Sequence, residues 1–183
     1  MKVIDNFLPS TYQDSLCELM LGDAFPWYLN KSTTLNRYNA MNQQFESGQF
    51  THTFFKDGQI FSQFFQKVEP IMYYLMLSEN IRTDNLIRIK ANLNYQNNSM
   101  PVDGHYPLHV DSAKEINYTT CIYYVSDSDG DTLFFSPDAK TETARVSPKK
   151  GRLVMFDGNT LHAGQAPKTN ELRCVVNINF KTV

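Results

Sequence analysis

A histidine and an aspartate two residues apart, His109-Val110-Asp111, are the first residues in this chain with an evident chemical use. In an extended segment residues i and i+2 project to the same face, with Cα atoms roughly 7 Å apart, so an imidazole and a carboxylate can converge on one cation. An HxD alone is a weak signal, because short motifs of common residues recur by chance and most serve the surface or the packing. His162 strengthens it. It follows a hydrophobic run, Leu153 to Phe156, and a turn, Asp157-Gly158-Asn159-Thr160. A histidine there can be a satisfied core side chain, but with the HxD it completes two imidazoles and one carboxylate. That set leaves three coordination positions open and suits iron(II) oxygen chemistry. A structural zinc ion would take four protein ligands, usually with thiolates among them, whereas Cys17, Cys121 and Cys174 are scattered and form no CxxC. Arg173 is the fourth element. It opens RCVVNINF, a segment apolar enough to be a buried strand. A buried guanidinium needs an anion, and its planar fork suits a carboxylate, whether one of the protein's own or a ligand's.

These residues need a scaffold. From residue 86 onward the chain is a series of short segments rich in β-branched and aromatic residues, LIRIKANLNY, INYTTCIYYV, DTLFFS, TARV, RLVMFD and RCVVNINF, separated by turn residues. With FTHTFF (50–55), these predict about eight antiparallel strands in a double-sheet jelly roll. Before them lie two helical segments. STYQDSLCELML reads as a helix capped by Ser10 with Gln13 three residues on, burying Leu16, Leu19 and Met20. Asp57 to Asn80 reads as a second, with Ile60, Phe61, Phe64, Phe65, Val68, Ile71, Met72 and Leu75 at helical spacing and a kink at Pro70. The expected fold class is α+β, mainly β: one domain over 1–183, with helical support over about 1–80 and a jelly roll over about 86–181. On the pleat of INYTTCIYYV, Thr120, Ile122 and Tyr124 share one face, and Val175 and Asn177 share the face of Arg173.

Composition excludes several classes. With 42% hydrophobic and 20% charged residues the chain is a folded protein and not a disordered one. A net charge of -2 gives no electrostatic case for a nucleic-acid partner. The longest apolar run, Ile71 to Leu77, is too short to cross a bilayer, and Asp5 interrupts any signal-peptide core, so no membrane partner and a cytoplasmic location are expected. DSDGD (127–131) has its glycine misplaced for a calcium loop and reads as an acidic hairpin turn. His52 is expected on a strand in a hydrogen bond, and His105 in a loop, since Pro107 rules out a helical HxxxH pair with His109.

In order, the chain carries Tyr95 ending a strand, His109-x-Asp111, TTCIYYV (119–125), GDTLFF (130–135), Pro148-Lys-Lys-Gly151 before a strand ending in Phe156, His162 and Arg173. Over roughly residues 86–180 this resembles the prolyl-4-hydroxylase-like branch of the 2-oxoglutarate/iron(II) oxygenases. The resemblance implies a dioxygenase that uses Fe(II) and the cosubstrate 2-oxoglutarate, with ascorbate as an accessory reductant. It hydroxylates a C–H bond of a peptidyl, prolyl included, or small-molecule substrate with O2, releasing succinate and CO2. It implies His109, Asp111 and His162 as catalytic metal ligands, and Arg173, eleven residues after His162, for the far carboxylate of 2-oxoglutarate. Tyr124 and Tyr95 match cosubstrate-pocket tyrosines, with Thr120, Ile122 and Val175 lining the same pocket.

The chain departs from the pattern at Gly130-Asp131, where Gly-Gly is common, and at Asn179, where some protein hydroxylases carry an aromatic. No arginine follows Arg173, unlike the nucleic-acid-repair branch, and Val175 stands where the plant-type branch has serine. Retention of Asp111 favours hydroxylation over halogenation. Two other classes compete: a non-catalytic jelly-roll binding protein and a cupin-type metalloenzyme without 2-oxoglutarate. The intact triad speaks against the first, and Arg173 with Tyr124 against the second. Residues 27–49 and 96–108 lack strong periodicity and are expected to border the mouth of the site, with His105 and Tyr106 as substrate contacts.

Overall fold

Two-residue alternation along the C-terminal strands decides the architecture. In the computed structural model, which describes residues 1–31, 48–79, 81–101, 103–111 and 117–182, strand β5 (Leu86–Tyr95) buries Ile89, Ala91 and Leu93 on one face and carries Arg88, Lys90, Asn92 and Asn94 on the other. Before it come β1 (Lys2–Ile4), helix α1 (Ser10–Leu21), β2 (Tyr28–Asn30), β3 (Gln49–Lys56), β4 (Gln59–Ile60) and helix α2 (Phe65–Glu79). After it come β6 (Tyr118–Tyr124), β7 (Thr132–Phe135), β8 (Glu142–Val146), β9 (Leu153–Asp157), β10 (His162–Gly164) and β11 (Leu172–Lys181). The large antiparallel sheet has the order β1-β9-β6-β11-β5-β3-β2, with β4 added to β3, and a smaller sheet has the order β10-β7-β8. This is the expected mainly-β jelly roll, with its helices in the N-terminal part.

The faces of the large sheet have separate tasks. One packs Ile89, Ala91, Leu93, Tyr123, Val176 and Ile178 against Leu16 and Met20 of α1 and Val68, Ile71, Met72 and Leu75 of α2. The other turns Ile122, Tyr124, Val154, Phe156 and Val175 toward Phe134 and Val146 of the small sheet. The helices are held by this burial, worth about 1.5–3 kcal/mol for each large aliphatic side chain, rather than by caps. Ser10 is the first residue of α1 and makes no capping bond, contrary to the capping-box expectation. The Gln13 amide instead donates to the Leu8 carbonyl at 2.7 Å.

The second helix is shorter than its periodicity predicts. Asp57 and Gly58 have φ of 48° and 83° and form a two-residue turn between β3 and β4, leaving Ile60 and Phe61 62% and 60% exposed. The left-handed Asp-Gly turn overrides the helical spacing of the apolar residues beyond it. Pro70 lies inside α2, which continues through it. His52 lies on β3, its two ring nitrogens hydrogen-bonded to the Pro26 carbonyl and the Ser62 hydroxyl, both at 2.7 Å. Among the described residues, no helix is long and apolar enough to cross a membrane.

Candidate active site

His109 and His162 are delivered by backbone pairing. They face each other in an antiparallel bridge and exchange both N–H···O bonds at 3.0 Å. The turn that delivers His162 is tightened by the Asp157 carboxylate, which accepts the Asn159 N–H at 2.9 Å. Gly158 within it lies against the Tyr118 ring, which a Cβ would approach to 2.1 Å, so no larger residue fits. The two imidazole centroids are 4.5 Å apart. Each Nδ1 sits beside a backbone carbonyl, that of Pro107 at 3.0 Å for His109 and that of Thr160 at 2.9 Å for His162. An Nδ1–H donated to those carbonyls leaves each Nε2 lone pair free for a metal.

Asp111 completes the set. One potential ligand atom from each of His109, Asp111 and His162 lies within 4.8 Å of the others, and His162 Nε2 is 3.8 Å from Asp111 Oδ2. Asp111 Oδ2 accepts from Thr120 Oγ1 at 3.0 Å, Asn177 Nδ2 at 2.9 Å and Asn179 Nδ2 at 3.2 Å, while Oδ1 accepts from Arg88 at 3.1 Å. Burial pushes the carboxyl pKa up, but His162, Arg88, His109 and the Asn177 bond outweigh it and hold the pKa well below the usual carboxylate range. Burial, then the neighbouring His162, lowers the His109 pKa to about 4 against the opposing pull of Asp111. Neutral imidazole and ionised carboxylate are the protonation states a divalent cation requires. Three hard or borderline donors converging from one side fit iron(II) with positions left for other ligands.

Arg173 lies in the same interior. It is 5% exposed and donates to the Gly130 carbonyl and the Thr132 hydroxyl, both at 2.7 Å. Both acceptors are neutral, and no described carboxylate lies within ion-pair distance. Burial lowers its pKa, with Tyr124 opposing, but a guanidinium remains charged. Tyr124 holds its proton because burial raises its pKa. Its hydroxyl donates to Thr132 Oγ1 at 2.8 Å, and the Arg173 guanidinium carbon is 5.9 Å from its ring centre. Thr132 thus accepts two bonds and has its own proton left to donate. A buried cation beside a free hydroxyl donor fits the far carboxylate of 2-oxoglutarate.

The remaining predicted residues divide. Thr120 serves Asp111 directly, and Ile122 and Val175 belong to the apolar cluster between the sheets. Tyr95 is not brought to the site. It shares the face of Leu93, is 54% exposed and packs edge-on to Phe50 at 5.6 Å. Asn94, one residue earlier, is the one that faces the interior, opposite Arg173. Asp131 pairs with Arg145 at 3.4 Å. Gly130 is required by close packing, since a Cβ there would lie 2.6 Å from the Gln165 carbonyl. Asp129 of the acidic turn binds the backbone N–H groups of Lys168, Thr169 and Asn170, which fixes the approach to β11.

Sequence reasoning missed Arg88 and Thr132, which hold Asp111 and Arg173, and did not link Asn179 to Asp111. Period two gives the face each occupies but not the strand that lies across from it. Sequence reasoning also missed Phe134 and Phe156, whose rings flank His162 at 6.4 and 5.0 Å. Of the two expected mouth segments, the first falls largely on residues 32–47, outside the described residues. The second is anchored, with Met100 and Tyr106 packed on Ala166 and the Tyr106 N–H donating to the Gly164 carbonyl at 2.9 Å. The His105 ring lies 5.1 Å from that of Phe135, tilted 51° to it.

The family described as the 2OG-Fe(II) oxygenase superfamily matches residues 94–181. No curated protein sequence matches the chain. Among solved structures, a Pseudomonas putida prolyl-4-hydroxylase is 16% identical with a TM-score of 0.56, covering 100% of this chain and 92% of that one. A Trichoplax adhaerens prolyl hydroxylase in complex with a hypoxia inducible factor peptide is 13% identical with a TM-score of 0.62, covering 98% and 82%. The α-ketoglutarate-dependent epimerase SnoN from nogalamycin biosynthesis is 12% identical with a TM-score of 0.61, covering 98% and 75%. At these identities the structural likeness establishes the fold.

Proposed function

We propose that this chain, whose residues 94–181 match the 2OG-Fe(II) oxygenase superfamily, is a member of it and a hydroxylase acting on a C–H bond of a peptidyl substrate, with His109, Asp111 and His162 as its iron ligands and Arg173 as its cosubstrate anchor. One observation carries this: three metal-competent ligand atoms within 4.8 Å of one another share an interior with a buried guanidinium whose hydrogen-bond partners among the described residues are neutral. When bound, iron(II) with 2-oxoglutarate and O2 supplies the oxidation, in which 2-oxoglutarate becomes succinate and CO2 and the second oxygen atom enters the substrate C–H bond.

The protein's contribution is positional. His109 and His162 present their Nε2 atoms, each ring fixed through its Nδ1. Arg88, Thr120, Asn177 and Asn179 hold the Asp111 carboxylate ionised and orient its plane. Arg173 and the Thr132 hydroxyl take the far carboxylate, with Tyr124 bracing Thr132. Ile122, Phe134, Phe156 and Val175 form a dry wall that excludes water from the reacting centre. Retention of Asp111 favours hydroxylation over halogenation. The single-domain organisation over 1–183 belongs to the same proposal. The peptide bound by the Trichoplax adhaerens prolyl hydroxylase favours a peptidyl substrate, and the likeness to the SnoN epimerase keeps a small molecule as the second reading.

Succinate release tests this. Iron-loaded protein should convert 2-oxoglutarate slowly without substrate, and faster with a matching member of a panel of proline-containing peptides, amino acids and nucleotides. No succinate above the metal-free control under any condition would leave a binding protein on an oxygenase fold.

A further inference from the structure

The site-facing side of β5 contains more polar chemistry than the metal and the cosubstrate use. Across the β5–β11 ladder, Arg88 pairs with Asn179, Lys90 with Asn177, Asn92 with Val175 and Asn94 with Arg173. Arg88, Asn177 and Asn179 are engaged by Asp111, and Arg173 by Gly130 and Thr132. Lys90 has no carboxylate within ion-pair distance among the described residues. Asn92 Oδ1 and Asn94 Nδ2 are buried without a hydrogen-bond partner. Asn94 is 4% exposed, so water does not readily supply its missing acceptor. On the far side of the stripe, β3 places Thr51 opposite Asn92 and Thr53 opposite Lys90, so the floor stays hydrophilic beyond β5.

Among the described residues the charges do not balance without another anion. Asp111 and Arg88 offset each other, and the far carboxylate of 2-oxoglutarate offsets Arg173. Among the described residues Lys90 then remains a half-buried cation with no carboxylate to neutralise it, an unfavourable arrangement unless a ligand brings the opposite charge. Its location is close to the reacting centre, since it lies across the ladder from Asn177, whose amide donates to Asp111 at 2.9 Å. An acceptor at Asn92 Oδ1 and a donor at Asn94 Nδ2 lie beyond it, one strand step apart on the same face.

We propose that Lys90, with Asn92 and Asn94 beside it, is the subsite for the primary substrate, and that the substrate presents a carboxylate to Lys90 and further polar groups to the two asparagines. This rests on the oxygenase assignment above and specifies its substrate class: a carboxylate-bearing molecule, either a free amino acid or an acidic side chain within a peptide. The ammonium and amides orient the substrate so that the C–H to be oxidised meets the open face of the His109, Asp111 and His162 site. Lys90 is here a specificity residue, not a ligand for 2-oxoglutarate.

The test uses the full chain loaded with Mn(II), a redox-silent stand-in, and saturated with 2-oxoglutarate. Calorimetry measures binding of free amino acids, of their carboxamides, and of end-blocked peptides containing Asp or Glu. Binders should carry a carboxylate and bind roughly 10- to 100-fold more tightly than their amide counterparts. The amino-acid and peptide arms tell the two sources apart. Lys90→Met and Lys90→Gln should each abolish that preference, Lys90→Arg should keep part of it, and all three should bind 2-oxoglutarate as the parent does. The subsite is refuted by a parent protein with no carboxylate preference, by unaltered preference in both Lys90→Met and Lys90→Gln, or by a matching loss of 2-oxoglutarate affinity, which would make Lys90 a cosubstrate residue. Failure of the parent to bind 2-oxoglutarate at all would instead count against the oxygenase assignment.

Discussion

Replacing His162 with alanine is expected to lower iron affinity and succinate formation by at least about 100-fold, since even the residues that merely support metal ligands cost that much when removed. His162 is 2% exposed, and its Nε2 faces Asp111 while its Nδ1 is engaged with the Thr160 carbonyl. Asp111→Ala should lose iron equally and should also unfold more readily without metal. Its carboxylate is the common acceptor for Arg88, Thr120, Asn177 and Asn179. Removing it leaves a part-buried guanidinium with amide acceptors but no counter-charge and takes the acceptor from Thr120 and Asn177, a loss of roughly 3 kcal/mol. Iron content after gel filtration and thermal melts of the metal-free proteins check both halves. Normal iron content in either variant would place the metal elsewhere. Equal metal-free stability would show that the donors around Asp111 find water instead.

Arg173→Ala should raise the KM for 2-oxoglutarate by roughly 100-fold, the scale expected for about 3 kcal/mol when one partner of a buried charge pair is removed. Iron affinity should not change, because Arg173 touches Gly130 and Thr132 and none of the three candidate ligands. Arg173→Lys keeps the charge but loses the fork and should fall between. Tyr124→Phe should have a smaller effect of the same kind, because it removes the brace on Thr132 while leaving the guanidinium in place. Steady-state kinetics in 2-oxoglutarate, with iron binding measured separately, resolves the two effects. Equal loss of iron affinity in Arg173→Ala would make the residue a structural support for the barrel.

The triad and Arg173 were legible because each depends on residue type and on strand pleat, which sequence displays directly. Period two placed Thr120, Ile122 and Tyr124 on one face, and Arg173, Val175 and Asn177 on another that proved to be adjacent. Strand pairing was not legible, and the misses follow from that. Nothing local says that Arg88 lies across from Asn179, or that Thr132 sits between Tyr124 and Arg173. Tyr95 shows the limit of matching a motif by residue type. The tyrosine is present, but β5 continues its pleat through residue 95 and turns that side chain to the opposite face, leaving Asn94 beside Arg173. The second helix begins later than apolar spacing predicts, at Phe65, for a related reason. Apolar spacing at Ile60 and Phe61 is compatible with a helix, while the Asp57-Gly58 turn, a stronger local signal, had already reversed the chain.

Where iron binds is the most direct test. Crystals of iron- and 2-oxoglutarate-loaded protein grown without oxygen, measured at the iron absorption edge, should give a single anomalous peak about 2.0–2.3 Å from one nitrogen each of His109 and His162 and one carboxylate oxygen of Asp111. The far carboxylate of 2-oxoglutarate should lie on Arg173 and Thr132. An iron peak away from these three side chains, or none in iron-loaded crystals, would contradict that ligand set.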